Sequence, residues 1–320
     1  MERKLAEPTF FDIAAADLGG PRTQAFFDKC DRLIPWQEMA ASLKDLYGDH
    51  AEGGRPPWPV MLMVKCLMLQ KWFGLSDPQL EEMLKDRLSF RRFVGLSLND
   101  RTPDETTFVR FRARLRESGQ GRTLFDEVVK HLESKGVVMK DGTLVDATIV
   151  EAPLGRTGKD GSFTRDQDAS HTYKHKRSYH GYKGHIATDT NGIVKDYRFG
   201  PASEPDSKYF DELTQDEQIA VYGDSAYRSK ERERQLENRG VFNGIIHGRV
   251  TGQGDLPQAQ RRRNRKLSKV RAIVEHPFAW MKNMGYRRTR YRGLIRNAID
   301  FALTATAYNL KRSFSLLECA

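Results

Sequence analysis

Apolar residues recur at helical spacing through the first part of the chain and switch to alternation after Lys140. Between Pro21 and about Gly136 the pattern predicts several short helices, with an apolar face over Pro56–Phe73 and a further helix beginning at Asp77. In "RTPDETTFVRFRARLRE" the expected start is Thr102 as N-cap, Pro103 at the first helical position and Glu105 completing a capping box. A small bundle over residues 1–136 follows, with spacing that also admits a helix-turn-helix. Beyond it, "GTLVDATIVEA" (Gly142–Ala152) is rich in β-branched residues and predicts a strand. The polar stretch 153–180, rich in Gly, Lys, His and Arg, predicts a mobile basic loop. "GYKGHIATDTNGIVKDYRFGP" predicts two strands turned at Asn191-Gly192. "SEPDSKYFDELTQ" then suits a helix, "QIAVYGD" a strand, "SKERERQLENRG" a helix closed by Gly240, "VFNGIIHG" a strand, and the segment around "RAIVEHPFAWMK" a last helix.

Three strands followed by alternating helices and strands predict an α/β fold. Its mixed sheet, with flanking helices, occupies residues 137–320, behind an all-α amino-terminal domain. The most apolar run, "VMLMVKCLML" (Val60–Leu69), is interrupted by Lys65 and too short to span a bilayer, so no membrane partner is expected. No apolar run follows the charges of "MERKLAEPTFF", so no signal peptide is read. Cys30, Cys66 and Cys319 are scattered, which suggests neither a disulfide framework nor a zinc finger, and a reducing cytoplasm is the expected location.

Charge changes the picture. The 320-residue chain carries a formal net charge of +10, clustered in "RRRNRKLSKVR" (Arg261–Arg271) and "YRRTRYRGLIR" (Tyr286–Arg296). Two such runs predict a phosphate-binding surface, with DNA as the expected partner; Arg263, Arg265, Arg287 and Arg290 are candidate contacts.

Three acids stand out against this background. Asp146 is the lone charge of the apolar strand "LVDATIV", where an ionised carboxylate is costly unless something pairs with it. Asp224 follows "IAVYG" at the carboxyl end of a predicted strand, a place where ligand-binding groups collect in open α/β sheets, though Asp beside Gly is also an ordinary turn or cap. Glu275 lies between Arg271 and Lys282, and one continuous helix would set all three on a narrow arc. An Arg271–Glu275 surface pair would account for the same spacing at ~0.2–0.5 kcal/mol. Carboxylates on a central strand, a strand end and a late helix, in a basic setting, suit a pair of hard divalent cations acting on phosphodiesters.

At these residues the chain resembles a DDE transposase of a bacterial insertion sequence, of the insertion-sequence-five group. "PPWPVMLMVKCLMLQKWFGLSDPQLEEMLKDRLSFRRFVGLSLNDRTPDETTFVRFRARL" (Pro56–Leu115) is similar to that family's helical domain, and "VDATIVEAP", "YKGHIATD", "YGDSAY" and "RAIVEHPFAWMKN" to successive blocks of its catalytic domain. The resemblance implies a ribonuclease H-like catalytic domain and places the catalytic, metal-binding triad on Asp146, Asp224 and Glu275. Arg271, Glu275 and Lys282 match the signature of the last acid, with Ser268 where the family has Tyr. Lys183 and His185 match the block "YKxH", for which a DNA-facing or metal-adjacent role is implied, although a strand histidine is more often structural. His171, His175, His180 and His185 could suggest zinc by spacing, but no cysteine joins them.

The resemblance further implies two Mg²⁺ ions, or Mn²⁺ in their place. The expected activity is cleavage at the element's terminal inverted repeats, bound by the helical domain over residues 1–136, and strand transfer into target DNA, by a homodimer associated with the bacterial nucleoid. Two rivals are a ribonuclease H-like nuclease that does not join strands and a DNA-binding protein that has lost catalysis.

Overall fold

A computed structural model describes residues 2–7, 20–48, 56–156, 164–174, 176–248 and 255–318. Cys319, His175 and the centre of the expected basic loop, residues 157–163, lie outside the described residues. The chain divides into two units, one of residues 1–131 with 302–320 and one of residues 132–301.

The first unit is helical: α1 (Pro21–Leu33), α2 (Trp36–Ala41), α3 (Val60–Phe73), α4 (Asp77–Asp86), α5 (Leu88–Val94), α6 (Glu105–Glu117) and most of α7 (Thr123–Ser134). The apolar run is α3, and Leu62, Met63, Val64, Cys66, Leu67, Met68 and Leu69 are all buried, as expected of a helix apolar on every side and wrapped by others. Gly74, in the left-handed conformation at φ 66°, closes it. Phe27 stacks on Phe93 at 4.5 Å within an aromatic cluster that includes Phe26, Trp36, Trp72 and Phe90. Ser76 and Gln79 form a capping box at the start of α4. At α6 the cap is Asp104 rather than Thr102, because the Asp104 carboxylate accepts the Thr107 N–H at 2.7 Å and the hydroxyls of Thr106 and Thr107. No helix among the described residues is long and apolar enough to cross a membrane.

The second unit is built on a six-stranded sheet: β1 (Thr143–Glu151), β2 (Ser170–Lys174), β3 (Arg177–Thr188), β4 (Val194–Pro201), β5 (Ala220–Gly223) and β6 (Phe242–Ile245). β3 runs antiparallel to β1, β2 and β4, while β1, β5 and β6 are parallel, so the core order is β4-β3-β1-β5-β6. This mixed sheet with helices is the arrangement expected of a ribonuclease H-like domain. The turn between β3 and β4 falls at Asn191-Gly192 as the sequence predicts, with Gly192 at φ 78° and Asp189 accepting the Ile193 N–H.

Alternation along β1 and β3 gives the sheet two unlike faces. On one, Val145 and Ala187 pack with Phe210 and Leu213 of α8 (Asp206–Thr214) and Leu236 of α9 (Lys230–Asn238). On the other, Phe301 of α12 (Leu294–Leu317) lies so close to Gly184 that a β-carbon there would sit 2.4 Å from its ring.

Two expectations need correction. Residues 153–180 do not form one loop, since β2 pairs with the start of β3. Buried Asp166 also anchors this stretch, accepting from the Tyr182 hydroxyl at 2.7 Å and the Gly293 N–H at 3.0 Å. Nor is the segment around Glu275 one helix. α10 (Gln258–Arg271) ends in a 3₁₀ turn, Ala272–Val274, and α11 (Glu275–Asn283) starts afresh. Pro277 explains the restart: it has no N–H to offer the preceding turn and is tolerated only near a helix start.

Candidate active site

Asp146 lies in the middle of β1, opposite Ile186 of β3. On the other side β1 pairs in parallel with β5, Thr143 with Val221 and Leu144 with Tyr222, a pairing that ends two residues before Asp146 and Asp224. Asp224 is where β5 ends. Its carboxylate turns back to accept the Ser225 N–H at 2.6 Å and caps the 3₁₀ turn Ser225–Tyr227. Gly223 just before it has no room for a side chain, because a β-carbon there would meet the Phe210 ring at 2.8 Å. Packing at Gly223 and the cap to Ser225 thus fix where the second acid leaves the strand.

Glu275 comes to Asp146 through Arg271. One Nη of the guanidinium donates to Glu275 Oε1 at 2.8 Å, and the other stands 3.7 Å from Asp146 Oδ2. The Asp146 side chain is 23% exposed and that of Glu275 56%, so the pair spans the edge between strand and solvent. Burial raises the Asp146 carboxyl above the usual range, opposed by the Ala147 N–H and by Arg271. Tyr227 stacks on Phe210 at 4.5 Å, and its hydroxyl is held above its ordinary value by burial first, then by the charges of Asp146, Asp206 and Asp224. Charge and periodicity do not single it out in the sequence, although its place three residues after Asp224 is a usable signal.

Three carboxylates are a hard-cation donor set, and two of them already bracket a positive group, the Arg271 guanidinium. In chemistry, then, the residues fit divalent cations. In geometry they are not closed: among the described residues no three His, Cys, Asp or Glu side chains are grouped to hold a metal ion. The histidines raised as a zinc spacing do not form such a group among the described residues either.

The basic candidates separate. Lys282, Arg265 and Arg287 are exposed, and Ser268, at the usual Tyr position, is exposed as well. Because the helix restarts at Glu275, Arg271 and Lys282 do not share one continuous helical face. Arg290 is half-buried and lines a cleft of about 600 Å³ with Arg156, Tyr291 and Arg292, next to the backbone bridge between Glu151 and the 287–289 segment. Arg263 instead donates to the carbonyls of Ile245 at 2.9 Å and Asn243 at 2.5 Å, tying α10 to β6.

Lys183 and His185 lie on the sheet face opposite Asp146, since they pair across β1 with Ile149 and Ala147. Lys183 reaches Asp206 at 2.7 Å and the Glu204 carbonyl at 3.0 Å. His185 is wholly buried beside the Tyr209 ring, 4.6 Å between centroids, and neither ring nitrogen has a partner among the described residues. Burial pushes it down to about 4, so it is neutral and has no surface to offer a phosphate or a metal in this arrangement.

Two family matches accord with this geometry. The family described as "Transposase DDE domain" matches residues 139–310, more than half of the chain and every strand of the sheet, and "Transposase domain (DUF772)" matches residues 20–114 of the helical unit. No solved structure matches the chain. Asp146, Asp224 and Glu275 all fall inside the first match, and the chain belongs to the DDE transposases of insertion elements.

Proposed function

We propose that the chain cuts DNA at the ends of an insertion element and joins the freed ends to target DNA at a site built on Asp146, Asp224 and Glu275. One observation supports this: Asp146 and Glu275 share the Arg271 guanidinium, while Asp224 directly follows β5, the strand that pairs in parallel with β1. Two Mg²⁺ ions held among these carboxylates would supply the positive charge that activates an attacking oxygen and steadies a leaving one in an in-line displacement.

The chain's own residues do the rest. Asp146, rigid on a central strand, fixes one edge of the site, and Asp224 a second. Glu275, at the first residue of a helix and largely exposed, is the member free to move inward. Arg271 would be released from its two carboxylates were cations bound among them, and its guanidinium would then serve a phosphate of the scissile strand, a fork geometry suited to that contact. Lys282, Arg265 and Arg287 hold flanking phosphates, which makes binding salt-dependent. In the first step water adds to phosphorus as the 3'-oxygen departs, taking a proton to become a hydroxyl. In the second, that hydroxyl attacks a target phosphodiester in the same way, so one site serves both and no covalent protein intermediate forms. Two ends brought together call for two copies of the chain.

The test is nicking of labelled element-end DNA in Mg²⁺ by the parent and by Asp146→Ala. The parent nicks, and the variant loses on the order of a thousandfold in rate, the scale for removal of a principal charge-stabilising group. Equal nicking by both removes Asp146 from the site. A pre-cut end offered with target DNA separates a transposase, which joins the strands, from a nuclease, which does not.

A further inference from the structure

We propose that residues 164–168 form a strap locked onto the sheet by one guanidinium held between two neutral histidines, and that acid opens the strap by protonating them. This device is independent of the catalytic reading.

His171 of β2 and His180 of β3 are directly opposed across an antiparallel pair, so their rings share a face, 4.9 Å apart between centroids. Arg165 reaches both. Its Nε donates to His180 Nε2 at 2.9 Å, and its Nη2 meets His171 Nε2. A guanidinium has N–H donors and no acceptor, so each ring nitrogen facing it must present a lone pair. The lock therefore exists only while both rings are neutral. Their other nitrogens face groups suited to that state, His180 Nδ1 at 3.5 Å from the Ala152 carbonyl and His171 Nδ1 at 3.5 Å from the Ser178 hydroxyl.

The strap is tied elsewhere by its two acids. Asp166 accepts from the Tyr182 hydroxyl and the Gly293 N–H, and Asp168 accepts the Leu294 N–H at 2.9 Å, so five residues join β2, β3 and the start of α12. Thr164 and Asp166 also wall the cleft of about 600 Å³ that Arg290 lines, and an open strap takes that wall away. Other arginines of this unit rest on carboxylates, Arg232 on Asp211 at 2.7 Å and Arg198 on Glu212 at 2.9 Å. Arg165 has no carboxylate partner among the described residues, and rests instead on two groups that repel it once they take a proton.

His180 is buried, and the titratable or charged groups acting on it are Arg165 from the strap and His171 from β2; the backbone at Ala152 and Ala169 supplies hydrogen bonds. Burial, and after it Arg165 and His171, hold it below the ordinary histidine value against those hydrogen bonds. The closed strap thus leaves His180 neutral, while the open strap lets it take a proton near about 6.5. Closure is fully favoured above that value, and the opening equilibrium grows about tenfold for each pH unit below it until the closed form protonates as well.

The test is amide exchange of the full chain, read by mass spectrometry in the peptides holding Gly293 and Leu294, whose N–H groups are freed when Asp166 and Asp168 leave. Rates at about pH 7.5 and about pH 5.5 are each divided by the free-peptide rate at that pH, and the corrected parental rate is expected to rise at least about tenfold in acid. Arg165→Gln, at a half-exposed position, removes the charge that a protonated ring would oppose and shrinks the rise below about threefold. His171→Gln combined with His180→Gln does the same, because amide oxygens still accept from Arg165 but take no proton. Peptides of α3, in the other unit, show no such rise. A parental rise below about threefold, an undiminished rise in either variant, or an equal rise in α3 overturns the proposal.

Discussion

The two faces of the central sheet carry their charges in opposite ways, though both use side chains from the same paired strands. On the α8 face, Lys183 is held by Asp206 at 2.7 Å and His185 is sealed under Tyr209, neutral and without solvent. On the other face, Asp146 has its nearest cation at 3.7 Å, and that cation is shared with a Glu275 that is more than half exposed. A tight ion pair and a buried neutral ring belong to a face that stays shut. A pair of acids around one shared guanidinium, one of them more than half exposed, belongs to a face that is open at its edge. Position on the strand, i against i+1, separates a partly exposed acid from groups locked into the packing.

Arg271 offers the largest effect with which to break that contrast. Arg271→Gln leaves Asp146 and Glu275 without their shared positive group and, on the proposed mechanism, removes a phosphate ligand during reaction. Nicking is expected to fall on the order of a hundredfold. In chelator the variant melts below the parent, because two acids now face each other uncompensated. Millimolar Mg²⁺ then raises its melting temperature by more than it raises the parent's, as cations take the place the guanidinium held. Equal Mg²⁺ shifts in parent and variant, read by differential scanning fluorimetry, remove the idea that guanidinium and metal compete for one place.

Much of this architecture is legible in the residues themselves. β-branched alternation locates β1, Asn191-Gly192 locates a turn, and Gly240 closes a helix, because each is a local effect of a few residues on their own backbone. What sequence does not carry is direction across the sheet. "YKGH" reads as a basic strand whichever way it faces, and only pairing of His185 with Ala147 turns it away from Asp146. Arg263 looks like its neighbours in "RRRNRK" and proves to be a tie to β6 carbonyls, since backbone acceptors on a distant strand leave no mark in a charge pattern. The restart at Glu275 is readable in Pro277, yet the arginine, glutamate and lysine spacing fits one helix so well that it masks the break.

Acid probes the closed face next. The groups around His185 are Asp206, which favours its protonation, Lys183, which opposes it, Glu204, which favours it, and the Tyr209 ring; burial outweighs them and holds it down to about 4. A histidine depressed in the folded chain is neutral there, while the unfolded chain takes up a proton near the ordinary histidine value of about 6.5. Its contribution to stability is therefore full above about 6.5, drains away as pH falls from there toward about 4, and changes no further below. The loss across that window is on the order of 3 kcal/mol. His185→Leu, close in volume and unable to titrate, should flatten this part of the profile in urea unfolding followed at a series of pH values. A variant whose stability falls as steeply as the parent's between those limits shows that His185 is not the group responsible.

The smallest effect separates a structural lysine from a DNA-binding one. Lys183 has a side chain 13% exposed and Asp206 34%, so the pair is partly shielded from water. Lys183→Met keeps the length and apolar stem but strands Asp206 with a charge it cannot share, a loss of about 1–2 kcal/mol. Asp206→Asn placed on top of Lys183→Met should return most of it, since an amide needs no cation and the damage lies in the uncompensated acid rather than in the missing attraction. Affinity for duplex DNA and its salt slope should be unchanged in both variants once corrected for the folded fraction. A lysine that touched a phosphate would instead lower the slope by about 1 in single and double variant alike, with no recovery from the second change. Recovery of stability without any change of slope is thus the signature of the closed face, and a fall in slope without recovery would move Lys183 to the open one.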